Sequence, residues 1–393
     1  MNIYGKSRLY AALPILSRVG TCAEINTDAL RRNYRTLTAG LPSGTEAICV
    51  VKADAYGHGT HTVVPILWEE GCRRFAVSCM EEAMDVRGIL ADADILILGY
   101  VPPDQAAELA AENLTVAALS DDYARALASE AVAAGVCVKV HIKLDTGMNR
   151  LGFPAYSVED CRKTAMDIFD LSHREGLSIT GIFSHFAVAD ELDGYEMTKR
   201  QAARYLTVTS ELERLGAEVG IRHLCNSAGA LCYPEYAFDA VRFGLVLYGY
   251  SPLTELTIRL EPVMRLCSIV THIHTLRAGE KVGYGATFCA PDERKIATVA
   301  IGYADGFLRA YGGAAVTFHT SEGDVRAKIV GRICMDQCMA DVTGLPVSVG
   351  DRVTLFGDTG AELEELAARA GTIPYESLCL VSSRVPRIAV RGR

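Results

Sequence analysis

Ala47-Ile48-Cys49-Val50-Val51-Lys52-Ala53-Asp54-Ala55-Tyr56-Gly57-His58-Gly59 decides how this chain is read, because an apolar run with the character of a buried strand ends on a lysine. At the mouth of a parallel sheet an ammonium withdrawn from water loses its preference for the charged form. It then becomes the free amine that a Schiff base requires. Tyr56, Gly57 and Gly59 add a phenol and close backbone approach just past the strand. The plainer alternative is a strand-capping lysine that snorkels to solvent.

Outward from this segment, short apolar runs alternate with amphipathic stretches, the pattern of strand and helix units around a parallel sheet. The candidate strands are Ile48 to Lys52, Phe75 to Cys79, Ile95 to Gly99, Val116 to Leu119, Val138 to Leu144, Ile179 to His185, His223 to Cys225 and Val241 to Tyr248. With helices such as Asp104 to Glu112 and Met197 to Leu215 between them, they predict an α/β chain with a (β/α)8 TIM-type barrel over residues 27–250. A doubly wound open sheet is the alternative. From Ser251-Pro252-Leu253 onward, β-branched alternation such as Cys267 to His274 predicts a mostly antiparallel β domain over 251–393, with a single late helix at Ala361 to Ala370.

Composition narrows the function. The chain has 393 residues, 50% hydrophobic and 22% charged, enough for sizeable cores in two or three domains. A net charge of −9 without a basic cluster argues against nucleic acid as the main partner. Thirteen scattered cysteines with no Cys-x-x-Cys pair argue against a metal site and point to a reducing cytoplasm. The run Leu9 to Leu16, behind Lys6 and Arg8, is too short and interrupted for a signal peptide or a membrane span.

Several polar segments fall at the carboxyl ends of the barrel strands, where barrel chemistry resides. They are Lys143 to Arg150, Ser184-His185-Phe186, Arg222 to Ser227 and Val241 to Leu245. Beyond them lie Lys281-Val282-Gly283-Tyr284-Gly285-Ala286-Thr287, a glycine-flanked turn, then Ala300 to Gly306 and Gly331 to Asp336. With 47–59, these segments closely resemble the motifs of the alanine racemase family, pyridoxal-phosphate enzymes that invert a small amino acid at its alpha carbon. The likeness runs from about Ala23 to Arg387.

The resemblance implies pyridoxal 5'-phosphate on Lys52, with Tyr56, His185, Asn226, Ser227, Arg242, Gly244 and Leu245 around it. It implies Lys52 and Tyr284 as bases on opposite faces of the substrate, Lys52 serving the D face. Arg150 would contact the substrate carboxylate, the Met335 backbone would meet it too, Asp336 would anchor that loop, and Tyr303 would guard the approach. Lys143 would be open to carbamylation, and His223 would stand behind Arg242. Residues 1–26 would pair with the β domain, and Tyr284 would come from the other subunit of a homodimer with shared sites. Supply of D-alanine for cell-wall peptidoglycan is the family's usual role.

Two residues carry arguments of their own. An arginine facing the pyridine nitrogen, as Arg242 would, cannot take up its proton, so the ring stays neutral and clean return of the substrate proton is favoured. A free tyrosine near pKa 10 needs nearby cations such as Arg150 to work as a base near neutral pH. Ser383, in Leu380 to Arg387, stands where many alanine racemases carry a tyrosine, and Gly283 where serine is common. The smaller Ser383 leaves room for a serine substrate, so a serine or mixed alanine/serine racemase stays open. So do a decarboxylase of the same barrel family, given Cys334, and a non-catalytic cofactor-binding protein.

Overall fold

A computed structural model describes residues 20–251, 253 and 258–392. Residues 1–19 of the expected N-terminal segment, with the run Leu9 to Leu16, and Pro252 at the expected boundary lie outside the described residues. The strands in chain order are β1 (Cys22–Asn26), β2 (Glu46–Val50), β3 (Arg74–Val77), β4 (Asp94–Ile97), β5 (Thr115–Ala118), β6 (Val138–Asp145), β7 (Phe153–Pro154), β8 (Leu177–Phe183), β9 (Ile221–His223), β10 (Ala240–Phe243), β11 (Met264–Leu276), β12 (Lys281–Val282), β13 (Phe288–Cys289), β14 (Arg294–Val299), β15 (Ala315–Thr320), β16 (Gly323–Val330), β17 (Cys338–Asp341), β18 (Arg352–Phe356) and β19 (Arg387–Val390). The chain divides into two units, Ala29–Leu260 and a second made of the chain up to Asp28 with Glu261 onward.

In the first unit the strands run in the order β10-β2-β3-β4-β5-β6-β8-β9, every pairing parallel, and make a (β/α)8 barrel. Closure falls to β9 and β10, where the Asp239 N–H donates to the Arg222 carbonyl at 3.1 Å and the Arg242 N–H to the Cys225 carbonyl at 3.0 Å. Strands β2 to β5 each begin on an exposed or half-buried residue and end on three buried ones. Their carboxyl ends are therefore the covered rim.

The observed strands start and stop up to two residues ahead of most of the expected ones. The apolar runs continue past the hydrogen-bonded ladder into buried βα turns, as at Val51, which is 1% exposed. The stretch Val241 to Tyr248 is split for the same reason, since Leu245–Tyr248 forms a wholly buried 3-10 turn. The expected helix at Asp104 divides into a 3-10 turn, Pro103–Gln105, and a helix Ala106–Ala111. The long helix begins two residues early and runs Tyr195–Leu215.

The second unit is built on one mostly antiparallel sheet in the order β14-β17-β16-β15-β18-β11-β1-β19. Strand β1 pairs antiparallel with β11 and parallel with β19. The expectation of a single late helix needs correction. Gly360–Ala370 is followed by Pro374–Cys379, six residues started by a proline, too few to show a 3.6 period. Among the described residues no helix is long and apolar enough to cross a membrane.

Candidate active site

Lys52 does not end a strand. It is half-buried and opens a tight turn after Val51. Ala53, Asp54, Ala55 and Tyr56 then all hold φ between 52° and 54°, a left-handed turn without a glycine. Each such residue costs on the order of 1–2 kcal/mol, so the surroundings must impose the shape. The Glu82 carboxylate accepts from the Ala53 N–H at 2.7 Å, and Asp54 Oδ1 from the Thr60 N–H at 2.7 Å. The Gly57 and Gly59 N–H groups reach back to the Ala53 and Asp54 carbonyls, each at 2.9 Å. His58, fully buried, donates from Nδ1 toward the carbonyls of Ala55 and Tyr56 and stacks on Tyr248 at 4.4 Å. Tyr248 also packs at 5.0 Å from the Tyr56 ring, so one ring packs against both Tyr56 and His58.

That phenol defines an anion cradle. A Cβ at Gly244 would lie 2.6 Å from Tyr56 Oη, so only glycine fits between them. The Gly244 N–H donates to Ser227 Oγ at 3.0 Å, leaving the Ser227 O–H proton for another acceptor. A 3-10 turn begins at Leu245, so its leading N–H has no partner within the turn. Asn226 caps the short helix Ser227–Cys232 by accepting from the Gly229 N–H at 2.9 Å.

Arg242 is 3% exposed and has no carboxylate partner among the described residues. Its Nη1 donates to the Nδ1 and the carbonyl of His223 at 2.8 and 2.9 Å. Its Nη2 donates to the carbonyls of Ser184 and Leu224 at 2.7 and 3.0 Å and to His185 Nδ1 at 3.3 Å. The Nε–H makes no hydrogen bond to a described residue. Burial pushes the guanidinium down to about 10, still charged at neutral pH. Burial, and then the Arg242 charge, hold both His185 and His223 well below the usual imidazole range, so both rings are neutral. Because Arg242 only donates, His185 carries its proton on Nε2, so the 3.5 Å approach of that nitrogen to the Asn226 amide nitrogen, donor to donor, is a contact and not a hydrogen bond.

Lys143 is the buried lysine of the rim, 4% exposed, with Nζ donating to the Leu144 carbonyl at 2.6 Å and lying 5.6 Å over the Phe183 ring. Burial first, then the charges of Arg242 and Arg150, push it down to about 7 against the pull of Asp145. Burial would raise the Asp145 carboxyl, but the N–H groups of Gly147 and Asn149 and the Tyr156 hydroxyl outweigh it and hold it below its ordinary value. Arg150 is exposed and makes no ion pair among the described residues.

In the second unit Tyr284 is 72% exposed, at the head of a 3-10 turn between Gly283 (φ 64°) and Gly285 (φ 73°). Beneath it Val282 packs with Leu276, Ala290, Ile296 and Met339. Tyr303 and Met335 are also exposed and are tied together, the N–H groups of Tyr303 and Ala304 donating to the carbonyls of Cys334 and Met335, each at 3.0 Å. Arg384 clamps both loops, with Nε on Asp305 and Nη2 on Asp336, each at 2.7 Å. The exposed Ser383 sits beside that clamp, and the Ser382 N–H reaches the Asp305 carbonyl at 3.1 Å.

Sequence reading passed over Glu82, His58, Tyr248, Asp305 and Arg384, whose roles come from contacts between distant segments. It also passed over His141, although Lys139, His141 and Lys143 alternate as polar residues in an otherwise apolar strand, a signal that they share one face.

A parallel barrel whose rim carries a lysine, a phenol and hydroxyl around a required glycine, and a buried arginine without a carboxylate partner among the described residues offers a site suited to an anionic ligand. Residues 25–252 match the family described as alanine racemase, N-terminal domain, and residues 263–389 match alanine racemase, C-terminal domain. The chain is 38% identical to the alanine racemase of Desulforamulus reducens over 377 residues, covering 94% of this chain and 98% of that one. The solved alanine racemase of Clostridium difficile 630 superposes with a TM-score of 0.89 at 34% identity, covering 95% and 97% of the two chains. That of Bacillus anthracis, solved with bound L-Ala-P, gives 0.86 at 33% identity, covering 95% and 96%. The chain belongs to the alanine racemase family.

Proposed function

We propose that this protein interconverts L- and D-alanine with pyridoxal 5'-phosphate, using Lys52 and Tyr284 as its two bases. The observation that carries the reading is Arg242, a buried guanidinium whose Nη atoms are occupied by neutral acceptors while its Nε–H is left for a ring nitrogen. The residues fit the cofactor. The Tyr56 phenol, the Ser227 hydroxyl and the turn opening at Leu245 suit a phosphate, Gly244 keeps the space that a Cβ would fill, and the neutral His185 ring suits an aromatic face. When bound, the cofactor supplies an electron sink that acidifies the substrate's alpha C–H. Lys52 would hold the cofactor through Nζ and move the proton on the D face, with Tyr284 Oη serving the other face.

Arg150, without an ion-pair partner among the described residues, would take the substrate carboxylate together with the Met335 backbone. Asp336 would anchor that loop through Arg384, and Tyr303 would guard the approach. At a pKa of about 7 Lys143 offers carbon dioxide the free amine that a carbamate requires, and the resulting anion would orient Arg150. The exposure of Tyr284, Tyr303 and Met335 supports a homodimer in which each subunit lends these side chains to the other. Supply of D-alanine for peptidoglycan in the cytoplasm is the matching role. Serine is the second substrate reading, supported by the small, exposed Ser383 beside the Arg384 clamp.

Exchange of the alpha proton in heavy water, with L-alanine and L-serine offered separately and followed by chiral analysis, tests the proposal. Faster inversion of alanine supports it, faster inversion of serine transfers it to the serine branch, and no exchange with either overturns it.

A further inference from the structure

Arg242 is held by a chain of groups that does not stop at His223. The His223 ring, fully buried and stacked face to face on Phe183 at 4.8 Å, places its Nε2 2.9 Å from Nδ1 of His141 on β6. His141 is 6% exposed, and burial pushes it down to about 3, so this ring too is neutral. The proton positions follow without further assumption. Arginine only donates, so His223 Nδ1 accepts. Its single proton is then on Nε2 and is donated to His141 Nδ1, which leaves the proton of His141 on Nε2. That last N–H makes no hydrogen bond to a described residue.

His141 lines a cavity of about 270 Å³ at the amino-terminal mouth of the barrel, where Arg74, Asp94, Thr115, Lys139 and Thr180 supply the polar wall. Gly181 faces His141 in register on β8, and a Cβ there would come within 2.6 Å of His141 Nε2, so glycine keeps the room this ring needs. The charged neighbours at that mouth are already engaged, Arg74 with Glu46 and Asp94 and Lys139 with Asn113.

We propose that His141, which lines the cavity at the opposite mouth of the barrel, is a positioning residue for Arg242 and acts through His223. The inference rests on the reading of Arg242 as the group that faces the cofactor. A carboxylate opposite Arg242 would neutralise it, whereas an imidazole holds it without adding charge. An imidazole that donates through one nitrogen becomes a stronger acceptor at the other, because hydrogen bonds in series polarise one another. His141 therefore fixes which His223 nitrogen faces Arg242 and strengthens that contact, and the guanidinium is aimed while it stays cationic.

Nitrogen-15 resonances of the histidine rings in cofactor-free protein test this before any assay. We expect His223 unprotonated at Nδ1 and coupled across the hydrogen bond from Nε2 to His141 Nδ1. A His223 protonated at Nδ1 overturns the proposal. In the loaded enzyme His141→Leu removes the acceptor, and kcat should fall about tenfold, the worth of one such hydrogen bond. The KM should hold, and the visible absorption of the bound cofactor should shift. His141→Asn, which keeps an acceptor near the Nδ1 position, should restore both readouts; wild-type kcat and absorption in His141→Leu would sink the idea. The ring measurement needs neither cofactor nor turnover, so a protein that proved not to racemise would refute the proposed function and leave the imidazole pair to be judged on its own resonances.

Discussion

In the barrel, Lys143, His223 and Arg242 are buried and His185 half-buried, and their protonation is decided by lost water and by one another's charges. In the β unit Tyr284, Tyr303 and Met335 stand exposed on turns whose backbone is clamped while the side chains are left open. The barrel builds chemistry into its own interior, where desolvation sets the proton inventory. The β unit instead fixes a frame and presents side chains that acquire surroundings only when something covers them.

The sharpest way to break this contrast is to remove one proposed base from each side. Lys52→Ala should abolish both cofactor absorbance and turnover. Tyr284→Phe should keep the absorbance while the rate falls by roughly 10²–10⁴, the usual worth of a positioned acid or base. Equal loss of cofactor in both variants would contradict the division of labour. Next in size is Gly244→Ala, whose Cβ would meet Tyr56 Oη at 2.6 Å. Titration with pyridoxal phosphate should show affinity weakened by about tenfold to a hundredfold, near the worth of one or two charge-assisted hydrogen bonds.

Arg384→Lys cannot reproduce a fork that reaches Asp305 and Asp336 together. A several-fold rise in KM at unchanged cofactor affinity is expected, and a fall in cofactor affinity would show that the clamp serves the other unit's business instead. The last effect is thermodynamic. Because the Lys143 pKa is depressed to about 7, the unfolded chain binds its proton between there and the ordinary value of 10.5 while the folded one does not. The contribution of Lys143 to stability should therefore rise with pH across that window, by at most about 1.4 kcal/mol per unit. Denaturant titrations in carbon-dioxide-free buffer should show the stability of the wild type rising relative to that of Lys143→Met as pH increases; a difference that stays flat or falls would place the proton elsewhere.

Much of this was legible beforehand. Apolar runs ending at or near Lys52, Lys143 and His185 announce a parallel barrel with polar strand ends, and the glycines around Tyr284 announce a turn. Strand ends were misjudged where burial outlasts the ladder, as at Val51 and Leu245–Tyr248. What could not be read are dependencies over long sequence separations, such as His141 on His223, 82 residues apart, or Arg384 on Asp305, 79 apart. Nor does any local signal announce the turn after Lys52, since Ala53, Asp54 and Ala55 read as helix formers or caps and the left-handed shape is imposed from outside.

That turn has a stereochemical consequence. At positions 53 and 55 the backbone is the mirror image of a right-handed helix, the conformation an L-alanine resists and its enantiomer prefers. A semisynthetic chain carrying D-alanine at those two places should be relaxed there, by roughly 1–2 kcal/mol at each. A protein proposed to make D-alanine thus contains, next to the lysine proposed as one of its bases, two sites where its own product would be the better building block.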